Sequence, residues 1–310
     1  MYSELEMRKS YAKTVEKLFK KDSNIFALEA DLSSSMSTSG LKEIMGKNYI
    51  NLGIMEANMI GVASGINLAG GYCFVHSFGQ FLTRRAMDQI FISLGYSKLS
   101  ACLVGSDAGV TAEHNGGTHM TFEDVGILRI IPNIEIYDVC DPVQFNKVLE
   151  YAYESKKLIY IRTARKKQEF AIYSEETKFE NTGANILKKG KSITILACGI
   201  EVKEALEAAD KLEKHGIYAE VIDVYRIKPL NEEVILKSAQ KTGRVITCEN
   251  HSINNGLGSS VAELLSEKYP IKVKRIGINN RFGQVGKQDY LMKEYNLTAD
   301  DIAGEAIKLI

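Results

Sequence analysis

The segment that decides the fold spans residues 49–75 and reads YINLGIMEANMIGVASGINLAGGYCFV. It starts with a short apolar strand pattern, continues with a helical pattern over 56–69, and ends with the apolar run Tyr72–Val75. Strands that are apolar throughout and alternate with helices are typical of a parallel sheet covered on both faces. The segment therefore predicts a β-α-β unit of an α/β protein.

The same alternation continues on both sides of this unit. The strand candidates of the first half are Asn24–Glu29, Tyr49–Leu52, Tyr72–Val75, Leu99–Val104, Ile134–Asp138 and Leu158–Arg162, with helical patterns at 4–20, 56–69, 82–94, 122–130 and 142–154. The strand candidates of the second half are Ser192–Ala197, Tyr218–Asp223, Arg244–Cys248 and Ile271–Ile276, with helical patterns at 201–215, 231–242 and 257–268. The stretch between the halves is polar and has little periodicity, which is typical of a linker, with room for one short strand.

These patterns and the length of 310 residues predict two α/β domains. Each is expected to be a mainly parallel sheet with helices on both faces. We assign residues 1–167 to the first domain, 168–190 to the linker and 191–310 to the second domain.

Composition narrows the classes of function. With 39 basic and 39 acidic residues the formal net charge is zero, which argues against nucleic acid or an anionic membrane as a bulk electrostatic partner. Residues 57–83 lack Asp, Glu, Lys and Arg, but they include Asn58, His76, Gln80 and five glycines, which favours a buried helix and strand over a membrane span. No apolar signal core follows the N-terminus, and the five cysteines form no CxxC pair, so we expect reduced thiols, no metal site in this chain and a cytoplasmic location.

Glu56 is the first candidate for chemistry because it is the only charged residue between Lys47 and Arg84. An acidic residue in the first turn of a helix is commonly there to interact with the free amides and the helix dipole. The functional alternative is a carboxyl group in an apolar site that shares a proton with a heterocyclic ring nitrogen.

Aromatic and polar residues follow in two further segments. Phe78 and Phe81, three residues apart, could form a stacking wall for a planar ring or could pack in the core. The glycine-rich loop 105–119 follows a buried strand, at the end of the sheet where α/β folds bind ligands, and it contains His114 and His119. Proton transfer or hydrogen bonding to a substrate oxygen is a better interpretation of these histidines than zinc binding, since no third ligand is near.

Small residues recur every four positions in the helical segment 56–69, at Ala57, Gly61, Gly65 and Ala69. Such a stripe allows another backbone to approach closely. The neighbour could be another part of the same subunit, or it could be a symmetry mate or a partner subunit.

The order of these motifs resembles one family. Residues 51–65, NLGIMEANMIGVASG, resemble the segment of transketolases that carries the glutamate contacting thiamine diphosphate, and residues 116–133, GGTHMTFEDVGILRIIPN, resemble their substrate-histidine loop. Residues 228–230, 242–251 and 256–263 are similar to the transketolase C-terminal domain. The resemblance covers nearly the whole chain and implies a pyrimidine-binding domain followed by a C-terminal domain.

The resemblance also implies roles for individual residues. Glu56 would hydrogen-bond the aminopyrimidine ring of thiamine diphosphate as a catalytic group, with Phe81 stacked on that ring and Phe78 beside it. His119 would contact substrate oxygens. Arg165, Arg8 and Ser35 match positions that contact the substrate phosphate. Four further residues near the expected site, which are not family matches, are also predicted to contact the substrate: His76, Asp107, His114 and Asn115.

One family motif is absent. Transketolases hold the diphosphate and its magnesium ion in a separate domain marked by Gly-Asp-Gly, and this sequence contains no Gly-Asp-Gly. The resemblance therefore implies a split enzyme in which the diphosphate and Mg²⁺ or Ca²⁺ are held by a partner subunit, with two copies of each chain. Its reaction would be transfer of a two-carbon ketol unit from a ketose phosphate to an aldose.

Two departures from the family pattern concern the sugar. Asn115 occupies the position of an aspartate that contacts a substrate hydroxyl, and Asp107 occupies a position where many relatives have a histidine. A specialised sugar substrate is therefore an alternative to the ordinary pentose phosphates.

Three other functions remain open at this point. The chain could be the beta subunit of a 2-oxo acid dehydrogenase decarboxylase or a deoxyxylulose phosphate synthase-like enzyme, or a non-catalytic regulatory subunit. Gly256-Leu-Gly258 also suggests dinucleotide binding, but the third glycine and a suitably placed acidic residue are missing, so packing at a helix start is favoured.

Overall fold

The structure, a computed structural model, describes residues 2–166, 171–177, 179 and 182–310. The strands are β1 (Ile25–Glu29), β2 (Tyr49–Asn51), β3 (Tyr72–Phe78), β4 (Ala101–Ser106), β5 (Glu135–Asp138), β6 (Leu158–Arg162), β7 (Asn185–Lys188), β8 (Ile193–Ala197), β9 (Ala219–Asp223), β10 (Arg226–Lys228), β11 (Val245–Ser252) and β12 (Val273–Ile278). The helices are α1 (Met7–Phe19), α2 (Leu41–Met45), α3 (Glu56–Leu68), α4 (Gly79–Thr83), α5 (Met87–Gln89), α6 (Asp124–Leu128), α7 (Pro142–Ser155), α8 (Glu201–Glu213), α9 (Glu232–Thr242), α10 (Leu257–Lys268), α11 (Gln288–Glu294) and α12 (Ala299–Ile307). A π-helix covers Ile90–Tyr96, and 3₁₀ turns cover Gly46–Asn48 and Gly109–Asn115.

The strands form two mainly parallel sheets, as predicted. The first has the order β10-β5-β6-β4-β3-β1-β2, and the second has the order β12-β11-β8-β9-β7. The outermost strands β10 and β7 are the antiparallel members. Separate clusters of buried side chains pack on the faces of the sheets, so both sheets are covered by helices.

Strand β10 was not predicted, and it connects the two halves of the chain. It belongs to the second half of the sequence but pairs with β5 of the first sheet. Three residues are too few to show a period of two, so no strand pattern could be recognised there.

The helix predicted over 82–94 is wrong in its bounds. Strand β3 continues to Phe78 because the polar His76 and Ser77 are fully buried within it, and α4 therefore starts at Gly79. The rest of the predicted helix is divided into α5 and the π-helix.

Helix α3 lies between the strands of the predicted β-α-β unit. Glu56 is its first residue, where a negative charge interacts favourably with the helix dipole. Gly70 ends it with a φ of 91°, which residues with a side chain rarely adopt, and the Gly71 amide donates back to the Ile66 carbonyl over 2.9 Å. In the described part of the chain, no helix combines the length and apolarity needed to cross a bilayer.

Candidate active site

Glu56 is held between α3 and β3. Its side chain is only 3% exposed. Oε1 accepts a hydrogen bond from Arg85 Nη1 over 3.0 Å and a longer one from Ser77 Oγ over 3.4 Å. The carboxylate therefore lies at the carboxyl-terminal edge of the first sheet, where ligand sites of α/β folds occur.

An aromatic group lies beside this carboxylate. Phe78 ends β3 and Phe81 follows in α4, with ring centroids 6.0 Å apart. The His119 ring lies 5.2 Å from Phe81 and 6.1 Å from Phe78, in edge-on geometry with both. The Arg85 guanidinium lies 3.8 Å from the Phe81 centroid, so one arginine contacts both the aromatic ring and Glu56.

Positively charged groups lie at the other side of Phe78. The Arg165 guanidinium is 5.0 Å from the Phe78 ring centroid, and its Nε donates to Asp107 Oδ1 over 2.7 Å. Nη1 of Arg165 and Nη1 of Arg8 both point at the carbonyl oxygen of Ser35, at 3.5 and 3.4 Å. Contacts between neighbouring side chains, with the Ser35 carbonyl as the last link, therefore connect Glu56 to Arg8.

His76 lies near Asp107 but makes its hydrogen bonds to other residues. It is fully buried, with Nδ1 2.7 Å from Glu29 Oε2 and Nε2 2.9 Å from Ser106 Oγ. Both ring nitrogens are used within the chain itself, and a contact between His76 and a substrate stays a prediction. His114 and Asn115 are exposed in the 3₁₀ turn, and no contact joins them to the cluster within the described residues.

Asn250 holds the loop that carries Asp107 in place. Its Oδ1 accepts from the Val110 amide, and its Nδ2 donates to the Ala108 carbonyl, both over 2.9 Å. Gly109 lies between these contacts with a φ of 54°, and a Cβ there would collide with the Asn250 side chain. This residue of β11 therefore determines the path of the loop in the first domain.

A buried ion-pair network lies below the same loop. Arg162 pairs with Asp124 through Nε and with Asp138 through Nη1, each over 3.0 Å. Its Nη2 donates to the carbonyls of Thr121 and Asn250. Burial alone would raise the pKa of Asp124, but Arg162 and the other neighbours outweigh it and lower that pKa.

Sequence reasoning missed Arg85 and Asn250. In the sequence Arg85 is only a charge after the aromatic pair, and a single arginine in a helical segment is usually solvated. Asn250 lies within residues 242–251, which matched the family, but a lone asparagine carries no signal for a contact with a distant loop.

The dinucleotide alternative is excluded by the start of α10. The Glu249 carboxylate accepts hydrogen bonds from the amides of Leu257 and Gly258, over 2.7 and 2.8 Å. A side chain at Gly256 would collide with the same carboxylate. The helix N-terminus that would bind a pyrophosphate is therefore filled by a carboxylate of this chain.

A buried carboxylate next to an aromatic group, at the carboxyl edge of a parallel sheet, is the arrangement of an α/β protein with a candidate ligand site. The family model described as transketolase, pyrimidine binding domain, matches residues 3–169, and the one described as transketolase, C-terminal domain, matches residues 182–302.

Similar full-length chains support the same assignment. The 6-deoxy-6-sulfo-D-fructose transketolase subunit SqwH of a Clostridium species is 43% identical over 97% of this chain and 93% of its own length. An apulose-4-phosphate transketolase subunit of Phocaeicola vulgatus is 31% identical over 98% and 97%. A solved structure of a split gene transketolase, described as an inactive beta4 tetramer, has a TM-score of 0.89 at 36% identity, covering 98% of this chain and 97% of that one.

The chain therefore belongs to the transketolase family, and it consists of the pyrimidine-binding and C-terminal domains. The resemblance, the fold class and the transketolase-type transferase predicted from the sequence are confirmed at the level of the family. Dependence on thiamine diphosphate is the property that this family implies.

Proposed function

We propose that this chain is the pyrimidine-binding half of a split transketolase, which transfers a two-carbon ketol unit from a ketose with an anionic end group to an aldose. The observation that carries the proposal is the series of contacts from Glu56 through Arg85 to Phe81, and from there through His119 and Phe78 to Arg165. Its carboxylate and aromatic rings suit a heterocyclic ring at one end, and its guanidinium group suits the charged end of a sugar at the other.

The residues around Glu56 fit the pyrimidine ring of thiamine diphosphate. Both contacts of the carboxylate use Oε1, which leaves Oε2 to hydrogen-bond a ring nitrogen and to hold or release a proton there. Phe81 is half-buried and presents a ring for stacking once Arg85 moves aside. Bound thiamine diphosphate supplies the electron sink for the two-carbon unit.

His119, Arg165, Arg8 and Ser35 would bind the sugar. His119 reaches the same aromatic rings and would hydrogen-bond substrate oxygens. The forked donors of the two arginines suit an anionic end group.

A partner subunit would complete the site. A Cβ added at Gly61 or at Gly65 would meet no atom within 4 Å, so this face of α3 is not covered by the chain itself. Ile54, Met55 and Leu68 are 69%, 53% and 75% exposed around it, and exposed apolar surface of this kind marks interaction sites. Glu56 begins the same helix, so a partner on α3 would lie next to the cofactor.

The partner would hold the diphosphate and Mg²⁺ or Ca²⁺, in an assembly with two copies of each chain. No group of three potential metal ligands occurs in the described residues of this chain. We further propose a cytoplasmic location and the division into residues 1–167, 168–190 and 191–310. The sugars named for the similar subunits support a specialised substrate.

The experiment is reconstitution with a subunit carrying the Gly-Asp-Gly domain, thiamine diphosphate and Mg²⁺, followed by an assay of ketol transfer. Glu56→Gln should reduce kcat at least about 10²-fold, because a positioned acid–base group contributes that much. Glu43→Gln makes the same change at an exposed site in α2 and should leave kcat unchanged.

Two outcomes would contradict the proposal. Full activity of the Glu56→Gln complex would favour a non-catalytic subunit. Release of carbon dioxide from a 2-oxo acid donor, without ketol transfer, would favour the decarboxylase or deoxyxylulose phosphate synthase-like alternatives.

A further inference from the structure

Each of the two arginines that would bind the sugar's end group is already paired with a carboxylate. Arg165 pairs with Asp107 over 2.7 Å, and Arg8 pairs with Glu6 over 2.9 Å. We propose that this site takes a sugar whose end group carries one negative charge, such as a sulfonate, in preference to a doubly charged phosphate. The inference rests on the proposed ketol transfer and names the class of donor.

The Asp107–Arg165 pair carries most of the argument because it is buried. The side chain of Asp107 is 1% exposed and that of Arg165 is 15% exposed, so water and salt screen this pair weakly. Asp107 is fixed at this point by a backbone φ of 58° and by the Asn250 contacts to the next residues. A phosphate on Arg165 would therefore lie near a fixed carboxylate.

The second pair acts in the same direction but more weakly. Glu6 and Arg8 are 26% and 30% exposed, and Lys9 lies 3.6 Å from the same Glu6 carboxylate at 58% exposure. Nearby, Lys166 is paired with Glu113 and adds no net charge. Among the described residues around Ser35, cations and carboxylates therefore nearly balance.

An anion is still favoured over an uncharged group. The two arginine contacts to the Ser35 carbonyl are at the outer limit of a hydrogen bond. These N–H groups therefore give up only weak hydrogen bonds when they exchange the carbonyl for a charged oxygen. A charged oxygen binds guanidinium more strongly. A sulfonate supplies such oxygens with one charge, whereas a phosphate monoester carries nearly two charges above pH 7.

Asp107 also offers an acceptor to the sugar itself. Its Oδ2 is buried and has no hydrogen-bond partner in the described structure. A buried carboxylate oxygen without a partner is costly, so a hydroxyl donor from a bound ligand would relieve it. A hydroxyl near the charged end of the sugar would be in reach if that end lies on Arg165.

The test compares three donors on the reconstituted complex at pH 7.5, with glycolaldehyde as the common acceptor. The donors are 6-deoxy-6-sulfo-D-fructose, D-fructose 6-phosphate and D-fructose. We expect kcat/KM for the sulfonate to exceed that for each of the others by about tenfold or more. Calorimetric titration of the same sugars into the complex gives the ratio of their dissociation constants, which does not depend on turnover.

Asp107→Asn removes the charge and keeps the shape. It should reduce the preference for sulfonate over phosphate by about tenfold. Glu6→Gln should reduce the same preference by a smaller factor. It replaces Asp107→Asn as the test if that variant does not fold. Glu150→Gln, in α7 and paired with Lys17, is the matched control and should leave the preference unchanged.

Three results would overturn the inference. These are a wild-type preference for the phosphate, equal use of D-fructose and the sulfonate, or a preference that neither carboxylate variant changes. Failure of ketol transfer with every donor would instead refute the proposed function, while the binding ratio would still decide the inference.

Discussion

At the residue scale, the Glu56–Arg85 ion pair occupies the place proposed for the pyrimidine. Arg85 is 46% exposed, whereas Glu56 is 3% exposed, so the arginine can swing into solvent while the carboxylate stays. The same guanidinium covers Phe81. Arg85 therefore competes with the cofactor for both of its contacts.

Removing that competition should strengthen cofactor binding. Arg85→Ala is expected to lower the Kd for thiamine diphosphate by up to about fivefold, since an exposed ion pair contributes up to about 1 kcal/mol. Isothermal titration of the complex measures it. Arg84→Ala removes a neighbouring exposed arginine that pairs with Glu123 and should leave the Kd unchanged. Weaker binding in Arg85→Ala alone would show that Arg85 assists the cofactor.

Sequence reasoning could find the residues whose setting is unusual for their type. Glu56 stands alone in an apolar segment, Phe78 and Phe81 form an aromatic pair, and His119 lies in a segment that resembles the family, so all of them could be named. The structure brings these four together. His76 could not be judged because its partners, Glu29 and Ser106, come from other strands.

At the element scale, α3 has one face in the core and another face open. Met59, Ile60 and Ala63 are buried against the sheet, while Gly61 and Gly65 face outward. Glycine lowers helix stability, so two glycines on an open face destabilise the isolated chain, and no packing contact offsets the loss. A partner helix that approaches this face closely would supply the stabilising contacts.

Gly61→Leu separates stability from association. The thermal midpoint of the isolated chain should stay the same or rise, because Leu is a better helix former than Gly by about 0.5–1 kcal/mol. Association with the partner subunit, measured by sedimentation analysis, should be lost. Gly304→Leu is the matched control in α12, since a Cβ there also meets no atom within 4 Å. Undiminished association of the Gly61→Leu chain would contradict a partner on α3.

The helix and its small-residue stripe could be predicted because their period is local. Sequence could not decide between an internal and an external neighbour, because that depends on which elements cross α3. The end of β3 was misplaced for a related reason: buried Ser77 and His76 resemble surface residues until their partners are known.

At the scale of the whole molecule, buried polar contacts join the two halves. Asp223 at the end of β9 accepts hydrogen bonds from Gln144 in α7 and from Tyr173, each over 2.6 Å. Burial raises the pKa of Asp223 to about 7, and these hydrogen bonds only partly offset it. Together with β10, such contacts fix the second half beside the first sheet.

The raised pKa predicts a pH-dependent stability. Asp223 is protonated up to about pH 7 in the folded chain but only to about pH 4 when unfolded. The contribution of Asp223 to the free energy of unfolding is therefore full below pH 4 and is lost as the pH rises to 7. The free energy of unfolding of Asp223→Asn, relative to that of the wild type, should therefore increase by on the order of 2 kcal/mol between pH 5 and pH 7.5.

Urea unfolding at several pH values measures this difference. Subtracting the stability curve of the wild type from that of Asp223→Asn removes the titration of other buried groups. Glu249 is one such group, because burial raises its pKa to about 7 as well. Asp210→Asn, at an exposed position of α8, should run parallel to the wild type. A pH-independent difference for Asp223→Asn would contradict the interpretation.

Two parallel sheets could be predicted from alternating patterns, whereas their connection could not. The pairing of β10 with β5 and the reach of Asn250 into the loop at Val110 join residues far apart in the chain. Such contacts leave no periodic signal in one sequence.

The most direct measurement is calorimetric titration of thiamine diphosphate with Mg²⁺ into this chain alone, the partner subunit alone and their mixture. A site shared between two subunits predicts saturable binding to the mixture that is at least about tenfold tighter than to either component. Binding to this chain alone with the affinity of the mixture would contradict a shared site.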